Sequence, residues 1–328
     1  VLDLFCGCGG LSLGFEQAGF QIVGGIDINP HAVSTFQHNF PNSVAIEADL
    51  EILTTKELQD KIPDIKDVQV LIGGPPCQGF SSANRWTHES DDLRNRLFFE
   101  FVDLVEFIKP KVIVIENVRG IITRDNGYAK DRIYKIFEER GYKVCHKILK
   151  ASDYGVPQNR KRVIIVGYPT SYEDFFFPPK PNSYKPTLKD AIYHLKDNVV
   201  SSLSKNKPNP NTIVPNHEYM TGNFSSIYMS RNRVRNWDEP SFTIQAGGRH
   251  APCHPQAPIM KKVKTDQRKF VHGKKKLYRR LSIRECAAIQ TFPEDFILEY
   301  SQLAHGYKMI GNAVPVEFAR KLALQIKK

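Results

Sequence analysis

A single cysteine at the end of an apolar run is the residue of this sequence best placed for nucleophilic chemistry. Cys77 follows residues 68–72, which predict a short buried strand, and it lies in the segment 73–81, Gly-Gly-Pro-Pro-Cys-Gln-Gly-Phe-Ser. The prolines fix two φ angles, and the glycines allow another molecule to approach closely. A lone cysteine is more often a small buried hydrophobe. This setting, at the end of a strand where α/β enzymes bind their ligands, favours a nucleophile.

An acidic residue ends another apolar run. Glu116 follows residues 111–115, which predict a second buried strand. Because the carboxyl ends of parallel strands meet at one edge of a sheet, we expect Glu116 to emerge beside Cys77. A carboxylate is costly to bury unpaired, so Glu116 is either an ion-pair partner or a group kept for proton transfer or hydrogen bonding. We favour the second interpretation.

Three residues entering a later strand share one face. Gln158, Arg160 and Arg162 are spaced two apart, so they can project together towards the loop after Cys77. The alternative is a solvated basic edge.

The beginning of the chain has the order strand, glycine turn, helix. Residues 1–5, 6–10 and 11–18 would bring backbone N–H groups and a helix N-terminus to one place, which suits an anionic or polar ligand. A tight βα connection without a ligand is an equal alternative. Asp27 ends the strand 21–26, where nucleotide-binding α/β folds hold ribose hydroxyls. Asp49 ends a third strand and is either a second acceptor in the same crevice or a turn residue.

The other elements complete an α/β fold with a second, less regular region. Residues 78–95 are polar and are expected to form a long loop, which in a compact domain is usually functional. Helices are expected over 97–108 and 129–140, and strands over 142–149 and 162–166. Prolines become frequent after Pro169, so we place a domain boundary near 175–185. From residue 281 the chain is helical again, with Ser282 and Glu285 forming a capping-box pattern. The last helix is expected to pack on the first domain.

Composition favours a polyanionic partner. The 328 residues have a net charge of +11 and a pI near 9.2, and basic residues are concentrated between about 229 and 280. The six cysteines include no CxxC pair, so we expect neither a metal site nor disulfides and infer a reducing, cytoplasmic setting. No run of eighteen apolar residues or export leader is present, so no membrane partner is expected. Since Val1 already belongs to an apolar run, we expect that residues preceding it are missing from this sequence.

Six motifs, in order and over essentially the whole length, resemble those of the cytosine-5 DNA methyltransferases. They are 3–10 (DLFCGCGG), 75–78 (PPCQ), 116–118 (ENV), 158–162 (QNRKR), 284–286 (REC) with Gln290, and 311–314 (GNAV). One departure is Asp27, where many members have Glu; either carboxylate can accept from both ribose hydroxyls.

The resemblance implies a Rossmann-like S-adenosylmethionine-dependent methyltransferase sheet with a smaller, irregular target-recognition domain. The implied cofactor is S-adenosylmethionine, with S-adenosylhomocysteine as product and no metal. Cys77 would add to carbon 6 of a flipped cytosine, with Glu116, Arg160 and Arg162 as the other catalytic residues. The implied cofactor contacts are Phe5, Gly7, Gly10, Leu11, Asp27, Ile28, Asp49, Pro75, Asn312 and Val314.

The resemblance also implies a partner and a domain division. Double-stranded DNA would contact Ser81, Arg231, Arg233 and Arg249, since arginine suits guanine O6 and N7. The segments 229–235, 245–249 and 254–258 resemble the recognition domain of bacterial GGCC-specific enzymes. The expected domains are catalytic (1–180 with 304–328), target-recognition (181–280) and a hinge with an interdomain helix (281–303).

This family implies a monomeric, nucleoid-associated bacterial enzyme that protects host DNA from a cognate restriction endonuclease, a functional rather than a physical partner. The alternative is an RNA (tRNA) cytosine-5 methyltransferase of the same fold. A non-catalytic DNA-binding module would need neither Cys77 nor Glu116.

Overall fold

The structure is a computed structural model that describes residues 1–76, 96–123, 128–172 and 177–327. The chain divides into two compact units. The first contains residues 1–150, 161–180 and 319–328, and the second contains 151–160 and 181–318. Contact density therefore groups 151–160 and 304–318 with the second unit, whereas the sequence placed both in the catalytic domain. The functional division into catalytic, recognition and hinge parts stays a prediction.

The first unit is built on a seven-stranded sheet with the order β3-β2-β1-β4-β5-β7-β6. The strands are β1 (Leu2–Leu4), β2 (Gly24–Asp27), β3 (Val44–Glu47), β4 (Val70–Gly73), β5 (Val112–Asn117), β6 (Tyr142–Lys150) and β7 (Lys161–Pro169). The first five strands pair in parallel, whereas β7 pairs antiparallel with both β5 and β6. The predicted mixed α/β architecture, with a central sheet of the Rossmann-like kind, is confirmed.

Among the described residues of the first unit, six helices and most of a seventh accompany this sheet. They are α1 (Gly10–Gln17), α2 (Pro30–Asn39), α3 (Thr55–Lys61), α4 (Arg96–Ile108), α5 (Gly120–Thr123) and α6 (Tyr128–Glu138), with α10 (Val316–Ile326) entering the unit at residue 319. Asn29 caps α2 by accepting from the amides of His31 and Ala32, and Pro30 is its first residue, a position that suits proline. At the end of α10, Lys327 Nζ donates to the carbonyl oxygen of Ala18 over 3.1 Å.

The pairing of β4 with β5 determines where the functional edge of the sheet lies. β4 ends at Gly73, which is opposite Ile115, so β5 continues for two residues past its parallel neighbour. Glu116 and Asn117 therefore emerge at the carboxyl edge. Below them, residues of β4 and β5 and the apolar face of α4 are buried in one core.

The second unit has little regular sheet. Its strands are two short pairs, β8 (Val200–Ser201) with β9 (Glu218–Tyr219) and β10 (Lys261–Lys264) with β11 (Gln267–Lys269), and its helices are α7 (Leu188–Ile192), α8 (Ile283–Ile289), α9 (Leu303–Asn312) and the start of α10. Ser282 and Glu285 form the predicted capping box of α8. A small apolar cluster formed by Tyr228, Val234, Cys253, Ala257, Met260 and Tyr278 organises the segment 224–278.

A buried polar network lies at the start of α8. The Glu285 carboxylate accepts two 2.7 Å hydrogen bonds from the Arg279 guanidinium and one of 2.8 Å from the Ser282 amide. The Ser282 hydroxyl is 2.8 Å from His217 Nδ1, and His217 Nε2 donates to the carbonyl of Leu195. His254 Nε2 lies 3.5 Å from Glu285 Oε1. Three separated chain segments are thus tied to one helix N-terminus.

Candidate functional site

Cys77 and Ser81, the predicted nucleophile and a predicted DNA contact, lie outside the described residues. The chain leading to them is described as far as Pro76. Pro75 is buried, and its carbonyl oxygen accepts a 2.8 Å hydrogen bond from Asn117 Nδ2. Asn117 Oδ1 in turn accepts from the Val118 amide over 2.8 Å, so the Asn117 side chain is held at both ends. The segment two residues before Cys77 is therefore fixed to the end of β5.

Glu116 and Arg162 form an ion pair at this edge. Arg162 Nε lies 2.9 Å from Glu116 Oε1, and the two side chains keep 18% and 11% of their accessible surface. A Cβ placed on Gly74 would be 3.8 Å from Glu116 Oε2, so the strand exit from β4 passes alongside this carboxylate. The choice left open by the sequence is thus partly answered, because Glu116 is an ion-pair partner. Pairing does not prevent the carboxylate from accepting further hydrogen bonds, because it has about four lone-pair positions.

The sequence predicted that Gln158, Arg160 and Arg162 project together, but Gln158 and Arg160 are placed differently. Both are buried in the second unit, with 0% and 2% of their surface exposed. Gln158 Nε2 donates to Gln290 Oε1 over 2.7 Å, and its Oε1 accepts from the Ile244 amide over 3.0 Å. Arg160 Nη1 donates to the Gly311 carbonyl over 3.0 Å. The three residues are spaced two apart, but their partners differ. Gln158 and Arg160 hydrogen-bond to segments that are distant in sequence, whereas Arg162 pairs with Glu116.

The glycine turn after β1 requires unusual backbone angles. Phe5, Gly7 and Gly9 have φ of 63°, 55° and 90°, in the left-handed region. A Cβ on Gly7 would meet no heavy atom within 4 Å, whereas one on Gly9 would lie 2.4 Å from the Phe40 ring. Gly10 and Leu11, the other predicted contacts here, are buried at the start of α1. The turn therefore packs tightly at Gly9 and is open at Gly7.

Asp27 joins this turn to the next strand exit. Its Oδ2 accepts from the Gly7 amide and its Oδ1 from the Asn29 amide, each over 2.9 Å. The neighbouring Ile28 side chain is 64% exposed. Asp49 accepts from the amide of Glu51 over 3.0 Å, which is the turn role considered as its alternative. Gly7, Asp27 and Ile28 therefore lie together at the carboxyl edge of β1 and β2.

Asp3 is a buried carboxyl group that the sequence reasoning did not single out as a site residue. It is 1% exposed within β1, and Ser12 Oγ of α1 donates to its Oδ2 over 2.6 Å. Burial raises the pKa of Asp3 to about 7, against the effect of the Ser12 hydrogen bond, and the charge of Asp27 adds to the increase. An acidic residue inside an apolar strand was the signal that could have identified it.

The described cysteines are poor nucleophiles. Burial raises the thiol pKa of Cys6, Cys8, Cys145, Cys253 and Cys286, that of Cys8 to about 12. All five are free thiols. A nucleophilic role for any of them would therefore work against its environment.

Asn312 and Val314, predicted cofactor contacts, belong to the second unit. Asn312 is exposed at the end of α9 and Val314 is 8% exposed. Gln290 Nε2 donates to the carbonyls of Ile310 and Ala313, which fixes the turn that carries both residues. Gln290 belongs to the motif formed with 284–286, so a residue of that motif fixes the backbone of the motif at 311–314.

The predicted base-reading arginines fall into two groups. Arg231 and Arg249 are exposed. Arg233 instead donates from Nε and Nη2 to the carbonyls of Tyr228 and Ile227, and its guanidinium lies over the Tyr228 ring at 4.8 Å. Among the three, Arg231 and Arg249 are therefore the ones with side chains directed to solvent.

Two absences hold for the described part of the chain. It contains no group of three or more His, Cys, Asp or Glu residues arranged to hold a metal ion. None of its helices combines the length and apolar character that crossing a membrane requires.

Comparison with known proteins gives the family. The sequence matches the family described as C-5 cytosine-specific DNA methylase over residues 1–328. It is 50% identical to the type II methyltransferase M.MthTI of Methanothermobacter thermautotrophicus, over 100% of this chain and 97% of the relative. It is 45% identical to the type II methyltransferase M.FnuDI of Fusobacterium nucleatum, over 100% and 94%.

A solved structure supports the fold independently. An E. coli protein encoded within a prophage, described as a DNA modification methyltransferase, superposes with a TM-score of 0.75 at 24% identity and covers 99% of this chain and 97% of its own. With the family match over the full length, the predicted enzyme class is confirmed. The chain belongs to the C-5 cytosine-specific DNA methylase family and is a DNA cytosine methyltransferase.

Proposed function

We propose that this enzyme transfers a methyl group from S-adenosylmethionine to carbon 5 of a flipped cytosine through a covalent bond to Cys77. The family implies this cofactor and a DNA substrate. The observation that carries the covalent step is the hydrogen bond from Asn117 to the Pro75 carbonyl. It fixes the chain two residues before Cys77 to the strand that bears Glu116.

The residues at the carboxyl edge of β1 and β2 fit the cofactor. The turn is open at Gly7, the Asp27 carboxylate can accept ribose hydroxyls in addition to its two amide donors, and Ile28 offers exposed apolar surface for an adenine ring. We assign cofactor binding to Phe5, Gly7, Gly10, Leu11, Asp27, Ile28, Asp49 and Pro75, and the family resemblance adds Asn312 and Val314. When bound, S-adenosylmethionine supplies an electrophilic methyl group and leaves as S-adenosylhomocysteine.

Cys77 has to overcome the low nucleophilicity of carbon 5. Its thiolate forms a bond to carbon 6, and the electrons of the 5,6 double bond then allow carbon 5 to take up the methyl group. Loss of the carbon 5 proton to a base and cleavage of the sulfur–carbon bond restore the ring and the thiolate. Since these atoms lie inside the base stack, the cytosine has to be flipped out. Closure of the segment containing Ser81 over the flipped base belongs to the same proposal.

Glu116 and Arg162 support addition at carbon 6. The Glu116 carboxyl group hydrogen-bonds the ring nitrogen and amino group of cytosine, and Arg162, whose Nε lies 2.9 Å from Glu116 Oε1, orients it. The family resemblance also implies a catalytic role for Arg160. Its hydrogen bonds to the carbonyls of Ile244 and Gly311 favour an indirect contribution, in which it positions the second unit's loops.

Substitution of Cys77 tests the covalent step. Cys77→Ala is expected to abolish methyl transfer to duplex DNA while leaving DNA binding intact, and 5-fluorocytosine DNA is expected to trap a wild-type adduct at Cys77. Cys145→Ala, which removes a half-buried thiol of β6, is the matched control and should retain both activity and trapping. Methyl transfer by Cys77→Ala, or an adduct mapped to another cysteine, would refute the mechanism.

For the target, we propose the sequence GGCC and a role in restriction–modification. Exposed Arg231 and Arg249 can donate to guanine O6 and N7, and the two relatives named above are type II methyltransferases. Bisulfite sequencing of DNA methylated by the enzyme tests the site, and methylation in unrelated contexts would remove GGCC. Protection of methylated DNA from a GGCC-cutting endonuclease tests the role.

Two further parts of the proposal need separate measurements. The enzyme acts as a monomer, which light scattering with and without duplex DNA tests. An RNA cytosine methyltransferase of the same fold is the second candidate, and activity on tRNA without activity on duplex DNA would favour it.

A further inference from the structure

The second unit carries an exposed basic hairpin, residues 261–269, made of β10 and β11. The two strands are joined by Thr265 and Asp266, and Asp266 has a φ of 53°. Four lysines, one arginine and one aspartate give the hairpin a charge of +4, out of +11 for the whole chain. All four residues of β10 are exposed, as are two of the three in β11. None of the lysines has a carboxylate partner within the described residues.

The arrangement of these charges is unfavourable in the free protein. Lys261 is directly opposite Lys269, and Lys262 is directly opposite Arg268. Like charges facing each other across strands destabilise a hairpin, and two strands alone are only marginally stable. Neighbouring strands are about 4.8 Å apart, well within a Debye length, so salt does not screen this repulsion fully. A bound polyanion would convert the repulsion into attraction.

The base of the hairpin is held firmly to the segment that carries Arg231. The Met260 amide donates to Asn232 Oδ1 over 3.2 Å, and Met260 is 1% exposed in the small apolar cluster of the second unit. On the other side, the Phe270 ring stacks on Tyr278 with centroids 4.2 Å apart. Asn232 also donates to the Val234 carbonyl over 2.6 Å. The exposed Arg231 and the basic hairpin therefore share one rigid support.

The residue types favour phosphate over base contacts. Lysine is a compact charge on a flexible stem, whereas base edges are read by the planar fork of arginine or by amides. Lysines occur on both faces of β10, since successive side chains of a strand alternate. The arginine of the hairpin, Arg268, is directed to the Met260 carbonyl. Four residues of strand extend roughly 13 Å, about four base-pair steps along one DNA strand.

We propose that the basic hairpin is a phosphate-contact surface for the DNA backbone beside the base pairs read by the Arg231 segment. It supplies affinity and orientation without sequence information. The inference rests on the proposed function of the second unit in DNA recognition. The alternative is that the lysines only protect sheet edges from pairing with another chain.

The test is the salt dependence of DNA binding. In the variant, Lys261, Lys262, Lys264 and Lys269 are replaced by Gln. Its DNA binding is compared with that of the wild type by fluorescence anisotropy from 50 to 300 mM KCl. One duplex contains the sequence that the enzyme methylates, and the other is unrelated. Each lost phosphate contact reduces the magnitude of the negative slope of log K against log salt by about 0.9. We expect a decrease of about 2 to 4 on both duplexes, with their affinity ratio unchanged within about twofold.

A control variant removes the same charge elsewhere. Lys56, Lys61, Lys109 and Lys111 are exposed lysines of the first unit, and Lys109 and Lys111 precede β5 at the edge opposite Glu116. Their replacement by Gln should leave the slope nearly unchanged. Trimming the duplex on the side bound by the hairpin should weaken binding by the wild type and by this control, but not by the hairpin variant.

The outcomes separate the two proposals. An unchanged slope for the hairpin variant, an equal decrease in the control, or aggregation of the hairpin variant with an unchanged slope would overturn the inference and leave the methyltransferase proposal intact. A wild-type enzyme that neither binds nor methylates duplex DNA would overturn both.

Discussion

His254 provides a quantitative test of how the second unit is held together. Its side chain is completely buried, its Nδ1 accepts from the Gln256 amide over 3.2 Å, and its ring meets the Trp237 ring edge-on with centroids 5.1 Å apart. Because Nδ1 is an acceptor, the proton of the neutral ring is on Nε2, which faces Glu285 Oε1 at 3.5 Å. A second proton would place a net positive charge in this site, where Arg279 already neutralises Glu285.

The surroundings of His254 keep it neutral. Burial lowers its pKa from 6.5 to about 4; the Glu285 carboxylate opposes this decrease, while Arg279 and His217 add to it and Asp197 opposes it weakly. The stability contributed by neutral His254 is complete above pH 6.5 and is lost as the pH falls towards 4, because the unfolded chain binds the proton first. Between pH 7 and pH 5 this linkage lowers the free energy of unfolding by about 2 kcal/mol, and the loss approaches about 3 kcal/mol below pH 4.

The assay is urea unfolding at pH 7 and pH 5, followed by fluorescence. The chain has two tryptophans, so Trp86→Phe makes Trp237 the reporter beside His254. In this background His254→Asn keeps an acceptor for the Gln256 amide but cannot take up a proton. The pH 7 to pH 5 loss should be about 2 kcal/mol smaller in His254→Asn than in its parent. His272→Asn, at an exposed histidine, is the control and should match the parent.

His217 belongs to the same network, and burial also lowers its pKa. Its share of the acid sensitivity should remain in His254→Asn, so the variant is expected to become less sensitive to acid rather than insensitive. Equal pH dependence of the parent and His254→Asn would refute the reasoning. It would mean that His254 is protonated in the folded state or reached by water.

Three more predictions follow from single contacts. Asn117→Ala removes the donor to the Pro75 carbonyl and should slow single-turnover methyl transfer at least tenfold with little change in cofactor affinity, at a stability cost of about 1–3 kcal/mol. Glu116→Gln should also slow methyl transfer, because it weakens the pair with Arg162. The cofactor affinity, measured by isothermal titration calorimetry, should be unchanged. Gly9→Ala should lower the free energy of unfolding by about 1–3 kcal/mol more than Gly141→Ala, since both have positive φ but only Gly9 faces the Phe40 ring at 2.4 Å.

The elements around the site could be predicted from the sequence because their signals are local. Apolar runs ending in Asp27 and in Glu116 indicated buried strands, and both side chains occur at the carboxyl ends of parallel strands. The Ser282–Glu285 capping box depends on residues three positions apart, so it was also predicted correctly. The short helix α3 was not predicted, although Thr54 and Glu57 form a capping box there.

Contacts between distant segments could not be predicted in the same way. The pattern of Gln158, Arg160 and Arg162 fixes only the face of the chain on which each side chain starts. The partner of each is chosen by packing, and Gln158 meets Gln290, which is 132 residues away. Similarly, the order of β7 between β5 and β6 depends on an antiparallel return that no local pattern encodes.

The arginines of 231–235 show why residue type alone does not tell which guanidinium groups are available for contacts with bases. Arg233 and Arg235 are held by protein groups: Arg233 by the carbonyls of Ile227 and Tyr228, and Arg235 by Glu239 at 2.7 Å. Their donors are used in building the surface, and the lowered pKa of Arg233, caused by burial, is consistent with a structural position. Arg231 differs only in lying outside these contacts. A guanidinium that already donates to main-chain carbonyls would have to break those bonds to read guanine, so the exposed Arg231 suits the proposed guanine contact better than Arg233 does.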